Sequence, residues 1–194
     1  MKNAKNVIIF MVCLAVSLVL PRIPYGNYLS YVGIVAAVAL LGPNMGTAVG
    51  LLVGLVNGLG ITNGFLAQYG IEGINLINIL SSLVPYTAVG FAAGACCKRG
   101  LNEKSLIKCL VGVFAAAILG SLAGMILGFV LMGARGAGRT IMTRLTMPAF
   151  WTGNAVNSVV ATVIAYIIVK ALPKDFTDNT KKNDGIEDID YMKL

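Results

Sequence analysis

The sequence predicts an all-α integral membrane protein, a compact bundle of about six transmembrane helices with both termini in the cytoplasm. Three observations predict this fold class: the apolar content, the scarcity of charges and the spacing of the apolar segments. Of the 194 residues, 57% are hydrophobic and 12% are charged, whereas soluble domains carry about a quarter charged residues. Between residues 7 and 172 the sequence contains two acidic residues, Glu72 and Glu103. So long a stretch with so few charges is typical of a chain in lipid.

Six apolar segments follow one another along the chain. They cover residues 7–20, 28–41, 46–61, 74–96, 106–132 and 152–172. Segments shorter than about 20 residues can span when flanking residues extend the helix or the bilayer thins. Lys2 and Lys5 precede the first segment as in a signal peptide, but the small residues Ala15 and Ser17 of the possible cleavage site lie inside the apolar run. We therefore expect an uncleaved first helix.

The distribution of lysine and arginine predicts the orientation, because cytoplasmic loops are enriched in these residues. Eleven lie on the side of the N-terminus, and the four on the other side are Arg22, Arg135, Arg139 and Arg144. We expect residues 1–174 to form the membrane domain that binds the substrate, and the polar residues 175–194 to form a disordered cytoplasmic tail. These orientation signals account for the net charge of +7, so no nucleic-acid partner is predicted.

Glycine repeats predict close packing of the helices. They recur every four residues at Gly46, Gly50, Gly54 and Gly58, and again at Gly120, Gly124 and Gly128. In lipid, such stripes of small residues let helix backbones approach closely. A tight bundle is therefore expected.

The four cysteines are predicted to be buried, reduced thiols. Cys13, Cys96, Cys97 and Cys109 lie in or beside apolar segments, where free cysteine behaves as a small apolar residue. The chain contains no histidine, and two of the cysteines are adjacent, a spacing that does not suit a tetrahedral metal site. No metal and no cofactor are expected.

Uncharged polar residues gather toward the side opposite the lysines, and they are the candidate binding residues. They are Tyr28, Tyr31, Asn57, Asn75, Asn78, Asn154 and Asn157. Two asparagine pairs are spaced three apart, which places both side chains of a pair on one helix face. Because an unpaired amide in hydrocarbon is costly, each asparagine is expected to face either another helix or a solute pocket. For the cluster as a whole, a pocket is favoured.

The loop at 133–151 lies on the same side and adds charge and a large ring. It contains Arg135, Arg139, Arg144 and Trp151. Arginine outside the cytoplasm runs against the orientation rule. The arginines could hold an anionic group of a ligand, contact membrane lipid headgroups, or pair with Glu72. Trp151 and the outer tyrosines offer rings for stacking, and the loop would act as a lid.

The sequence offers no catalytic constellation. It has no histidine, no paired carboxylates and no nucleophile beside a base, so no catalytic residue is assigned and an enzyme is not expected. Charged groups in mid-span, which proton-driven transporters use as relays, are also missing from the pattern. Uphill transport would therefore draw its energy from a partner.

Residues 28–59 resemble the second and third helices of substrate-binding S components of energy-coupling-factor (ECF) vitamin transporters. The resemblance rests on the run Leu40-Leu41-Gly42-Pro43-Asn44-Met45-Gly46 followed by Val49-Gly50, and on Asn154 and Asn157 at the head of the sixth segment. It implies a six-helix protein of the bacterial plasma membrane that binds a vitamin or related micronutrient, such as riboflavin or a precursor, near its outer face. It also implies as partners a transmembrane coupling subunit and two cytoplasmic ATPases.

One position departs from the family's pattern. Many S components carry Ala-x-x-x-Ala in the first helix, where the coupling subunit docks, and the counterpart here is Cys13-x-x-x-Ser17. The resemblance thus implies partner docking through small residues other than alanine. Two hypotheses remain, a vitamin-binding S component and a ligand-free membrane scaffold with a similar six-helix fold. In the scaffold, the outer asparagines would pair with one another.

Overall fold

A computed structural model describes residues 2–23, 29–59, 76–97, 101, 103–131 and 137–172, and the regular structure in this part of the chain is entirely helical. The helices are α1 (Lys2–Val19), α2 (Val32–Leu41), α3 (Pro43–Gly58), α4 (Leu76–Cys97), α5 (Glu103–Leu131), α6 (Ala137–Thr146) and α7 (Pro148–Ala171), with a 3-10 turn at Leu20–Arg22 after α1. The all-α prediction is confirmed. The predicted tail at 175–194 lies outside the described residues.

Among the described residues, four stretches of helix are long and apolar enough to cross a membrane. They are Ala4–Arg22, Asn78–Cys97, Ser105–Leu131 and Pro148–Ala171, and they are compatible with a multi-pass membrane protein. Two helices at predicted span positions are shorter, since α2 has 10 residues and α3 has 16. Both fall below the roughly 20 residues that cross hydrocarbon unaided. The count of six spans therefore stays a prediction.

The helix α2 forms the centre of the bundle. Every residue in it except Leu40 is buried, and it packs against α1, α3, α4 and α7. A helix that is apolar all round suits this position because it has no face for water. Tyr31, a candidate binding residue, directly precedes α2. The position of α2 therefore places Tyr31 inside the bundle.

A one-residue corner at Gly42 joins α2 to α3. Its φ of 101° lies in the left-handed region that favours glycine, and its N–H donates to the carbonyl of Val38 at 2.9 Å. Pro43 follows as the first residue of α3, where its missing N–H leaves no helical hydrogen bond unmade. The break predicted at this point thus sets the start of α3.

Glycine permits the close contacts of α4 with α3 and α5, as the repeats predict. A Cβ atom added at Gly54 of α3 would lie 2.7 Å from the Leu83 Cα, and one added at Gly120 of α5 would lie 2.7 Å from the Pro85 Cα. Neither position has room for a side chain. The close approach lets backbone atoms of the three helices gain dispersion contacts along their length.

Large apolar side chains cover the outside of the bundle. Phe91 of α4 and Ile107 of α5 are 70% and 71% exposed, and Met11 of α1 and Ile167 of α7 are also exposed. Extended exposed apolar surface is unusual in soluble proteins and marks contact with a partner or a membrane. This surface is the one that hydrocarbon would contact.

The prediction of reduced thiols is wrong for two of the four cysteines. Cys97 and Cys109 form a disulfide that joins the end of α4 to α5, with their Cα atoms 5.3 Å apart. Cys13 and Cys96 are free. The packing of α4 on α5 brings the bonded pair together, and sequence spacing alone does not reveal such proximity.

Candidate functional site

Two predicted site residues meet across the bundle. The Tyr31 hydroxyl donates a hydrogen bond to Asn154 Oδ1 of α7 at 3.2 Å. The Asn154 Nδ2 in turn donates to the carbonyl of Phe150, one helical turn earlier, at 2.7 Å. Both ends of the amide therefore have partners, and the bond links the N-terminal ends of α2 and α7.

Tyr86 of α4 extends this contact into a network that includes α3. Its ring meets the Tyr31 ring edge-on, with centroids 5.5 Å apart and an interplanar angle of 75°, a favoured aromatic geometry. The side chains of Ser30 and Asn57 hydrogen-bond to Tyr86. We call these five residues, Ser30, Tyr31, Asn57, Tyr86 and Asn154, the tyrosine–amide network.

The network lies toward one end of the bundle. Ser30 and Tyr31 precede α2, Asn57 belongs to the last turn of α3, and Asn154 lies in the second turn of α7. Tyr86 lies deeper, ten residues after the first residue of α4, or about 15 Å along the helix axis. No member is charged, so the network offers hydrogen bonds and aromatic rings to a solute and no ion pair.

Sequence reasoning missed Tyr86 and Ser30. Tyr86 follows Pro85 within an apolar stretch, where an aromatic residue is typical of packing. A signal was present, because Asn78, Ser82 and Tyr86 are spaced four apart and share one face of α4. The contact of Ser30 depends on how α2 packs against α4, and no local pattern encodes that.

Two other predicted residues have buried amide atoms that lack a partner in the described part of the chain. These atoms are Nδ2 of Asn78 and Oδ1 of Asn157. Buried unpaired polar atoms are few in native proteins, and each costs about 1–3 kcal/mol of desolvation. A solute with a complementary acceptor and donor would satisfy them. Asn78 and Asn157 are therefore the best candidates for direct ligand contact, whereas Asn154 already has protein partners.

Trp151 and the described arginines lie apart from the network. The Trp151 Nε1 donates to the Leu145 carbonyl at 2.9 Å, and its ring meets that of Phe150 edge-on at 5.8 Å. Arg139 is exposed and Arg144 is half-buried on α6. Within the described ranges, no hydrogen bond or ring contact joins any of these three side chains to the network.

The predicted loop at 133–151 is partly helical, which corrects the sequence interpretation. The helix α6 occupies Ala137–Thr146, and α7 begins at Pro148, four residues before the predicted start. Thr143 and Thr146 donate to carbonyls one turn earlier at 2.9 and 3.0 Å, and proline suits the first position of a helix. The glycines that precede α6 hid its helical spacing.

Several predicted site residues lie outside the described residues. These are Tyr28, Asn75 and Arg135, together with the outer loop at 61–73. The candidate site is therefore argued from Tyr31, Asn78, Asn154 and Asn157, with the residues that the structure adds.

Cys13 and Ser17, predicted to dock a partner, both face α2. Both side chains are buried, and a Cβ atom added at Gly33 would collide with the Cys13 carbonyl oxygen and lie 2.5 Å from the Ser17 Oγ. In this state the two residues pack α1 on α2, and Ser17 is not accessible to a partner. The helices α1, α2 and α7 border an apolar groove of about 230 Å³, whose lining includes Ile8, Val12 and Cys13.

At the other end of the bundle, polar side chains connect α5 and α7. The Tyr166 hydroxyl donates to Glu103 Oε1 at 3.2 Å, and Lys170 Nζ lies 4.0 Å from the same oxygen. Because Glu103 begins α5 and Lys170 lies near the end of α7, the two helices run antiparallel. Exposed pairs of this kind add little stability.

Comparison with known proteins adds no relative. No protein family, curated protein or solved structure matches the chain. The functional argument therefore rests on the tyrosine–amide network, the unpaired amide atoms and the apolar bundle that holds them.

Proposed function

We propose that the chain is the substrate-binding S component of an ECF-type transporter, a non-enzymatic receptor for a vitamin or related micronutrient. In this proposal α1 to α5 and α7 are the six membrane-crossing helices of a plasma-membrane protein, and both termini are cytoplasmic. A transmembrane coupling subunit and two cytoplasmic ATPases supply the energy for uptake.

The observation that carries the proposal is an uncharged polar centre toward one end of an otherwise apolar bundle. The tyrosine–amide network joins α2, α3, α4 and α7, and Asn78 and Asn157 each have a buried atom without a partner in the described ranges. Sites for small molecules combine apolar and aromatic walls with a few placed polar groups. In the orientation predicted by the lysines, this end faces outward, as an uptake receptor requires.

The alternative, a ligand-free scaffold, predicts different hydrogen-bond partners for the asparagines. If they only held helices together, their amides would pair with one another. Among the described residues, Asn57 and Asn154 instead bond to tyrosines, and Asn78 and Asn157 keep unpaired atoms. This pattern favours a receptor, because an amide that joins helices gains nothing from a buried atom without a partner.

The chemistry of the site favours a flat, uncharged heterocycle. Tyr31 and Tyr86 supply aromatic rings, while Asn78 supplies a donor and Asn157 an acceptor that have no partner in the part of the chain the structure describes. Riboflavin or a precursor has suitable rings, carbonyls and N–H groups. An anionic ligand held by arginine is less favoured, since neither Arg139 nor Arg144 joins the network.

The coupling subunit is proposed to approach the bundle on its α1 side. The apolar groove between α1, α2 and α7 is accessible without any change of structure. Cys13 lines this groove, whereas docking through Ser17 would require α1 to separate from α2, because Ser17 is fully buried.

Native mass spectrometry of the gently purified protein tests the proposal, and a bound small molecule is expected. In a titration with that molecule, Tyr31→Phe should weaken binding by about ten-fold, because loss of one buried hydrogen bond loosens the network. Thr152→Val is the matched control, since the exposed Thr152 hydroxyl bonds to the Pro148 carbonyl of its own helix. Failure to find a ligand after broad screening, with partner subunits still associated, would favour the scaffold.

A further inference from the structure

The position of α6 in the chain places it at the membrane surface. The span Ser105–Leu131 ends with α5, and the next span begins with α7 at Pro148. Five residues separate α5 from α6, and one residue separates α6 from α7. A helix attached so closely to the ends of two spans cannot lie far from the plane where both leave the hydrocarbon. This argument holds whether the end of the bundle that carries α6 faces the cytoplasm or the outside.

The faces of α6 differ in polarity in the way an interfacial helix requires. Gly138, Ile141, Met142 and Leu145 follow the i, i+3, i+4, i+7 spacing of one helix face, whereas Arg139, Thr140, Thr143 and Arg144 lie on the other. Such a helix lies in the plane of the interface, with its apolar face toward the acyl chains and its cations among the headgroups.

The burial pattern leaves apolar surface beside α6 for lipid. Ile141 and Leu145 are half-buried on the bundle, whereas Met142 is 61% exposed. The chain continues from α6 through two further exposed side chains, Met147 and Trp151. Tryptophan at the start of a span is typical of residues anchored at the headgroup level.

Within the part of the chain that the structure describes, the arginines of α6 have no acidic partner. Residues 132–172 contain no aspartate or glutamate. No ion pair or hydrogen bond holds the Arg139 or Arg144 side chain among the described residues. A cation at this depth is best satisfied by a lipid phosphate, which accepts several guanidinium hydrogen bonds.

We propose that α6 is an interfacial anchor that binds anionic phospholipid, with Arg139 and Arg144 on the headgroup phosphate and Met142, Met147 and Trp151 among the upper acyl segments. The anchor holds the ends of α5 and α7 at a fixed depth. The anchor proposal does not depend on the identity of any transported solute. It can therefore be overturned while the proposed function stands, and the proposed function can be overturned while the anchor stands.

The single tryptophan of the chain makes the test local, because Trp151 lies in the first turn of α7 and its Nε1 donates to the Leu145 carbonyl of α6. The full-length protein is placed in vesicles of equal phosphatidylglycerol and phosphatidylcholine, in which one lipid or the other carries bromine on its acyl chains and quenches Trp151. Brominated phosphatidylglycerol is expected to quench more strongly, with a preference of up to about five-fold per arginine. Arg139→Gln combined with Arg144→Gln should equalise the two lipids.

Two further variants separate the anchor from general effects of charge. Arg139→Lys with Arg144→Lys keeps the charges and should keep most of the preference. Arg22→Gln removes an exposed arginine from the 3-10 turn after α1, on the same predicted side, and should leave the lipid preference intact. The proposal is overturned if wild-type Trp151 is quenched by neither lipid or equally by both. It is also overturned if the double glutamine variant keeps the wild-type preference for phosphatidylglycerol. The same holds if that variant loses solute binding while the quenching of Trp151 by the two lipids is unchanged.

Discussion

Asn154 and Asn157 lie close together on α7, and their amides differ in what they contact. Asn154 has its oxygen on the Tyr31 hydroxyl and its nitrogen on the Phe150 carbonyl. The Asn157 oxygen is buried without a partner among the described residues. Substitution of these two asparagines is therefore expected to change stability in opposite directions. The difference distinguishes an amide that stabilises the fold from one that is available to a ligand.

Replacing each asparagine by leucine tests this difference without any ligand. Asn154→Leu should lower stability by about 1–2 kcal/mol, because the Tyr31 hydroxyl loses its acceptor inside the bundle. Asn157→Leu should leave the stability of the ligand-free protein unchanged or raise it, because a costly unpaired atom is removed. Thermal unfolding in one detergent measures both. Equal losses in the two variants would make Asn157 a structural residue as well.

The glycines where α4 contacts α5 lead to a prediction about the stability of helix packing. Gly120→Ala places a Cβ atom 2.7 Å from the Pro85 Cα, and backbone on a packed helix cannot move aside cheaply. We expect a loss of about 1–3 kcal/mol from the resulting separation of the helices, measured by thermal unfolding.

Gly153→Ala is the matched control for the packing prediction. Gly153 is also within a helix, but a Cβ atom there would meet no atom within 4 Å. Alanine should therefore leave stability unchanged or raise it by about 0.5–1 kcal/mol through its better helix propensity. If both alanine variants behaved alike, close packing at Gly120 would not limit stability.

The disulfide between α4 and α5 gives a second prediction for an element. It closes a segment with a sequence separation of 12, and loops of about this length contribute up to about 3 kcal/mol. Reductant or Cys109→Ser should lower the thermal midpoint, whereas Cys96→Ser should leave the response to reductant intact. A midpoint insensitive to reductant in the wild-type protein would mean that glycine packing alone holds this end together.

For the whole molecule, orientation is the property that the receptor proposal needs most. Thr143 of α6 and Lys108 of α5 are both exposed and lie toward opposite ends of the span Ser105–Leu131. In a background in which Cys13, Cys96, Cys97 and Cys109 are replaced by alanine, we expect a membrane-impermeant maleimide to label Thr143→Cys in intact cells. It should label Lys108→Cys only after permeabilisation. The reverse pattern would place the tyrosine–amide network on the cytoplasmic side and remove the case for an uptake receptor.

How far sequence reasoning reached differs from one element to the next. It located α5, because a long apolar run has one stable solution in lipid. It overestimated the length of α2, which begins at Val32 and not at residue 28, since an apolar pattern does not fix the residue at which a helix begins. It missed α6, because a ten-residue helix directly after a glycine-rich stretch was interpreted as part of one loop, although its apolar residues have helical spacing.

The sequence by itself determined the helical class, the four helices long and apolar enough to cross a membrane, and the glycine positions where backbones meet, because hydropathy and residue size act locally. It also indicated Tyr31, Asn78, Asn154 and Asn157 as polar groups that need partners. Only the tertiary structure decided which of these amides has a protein partner, which cysteines bond, and that Tyr86 joins the network. These outcomes depend on how α2, α4, α5 and α7 pack against one another, a non-local arrangement that no spacing along one helix contains.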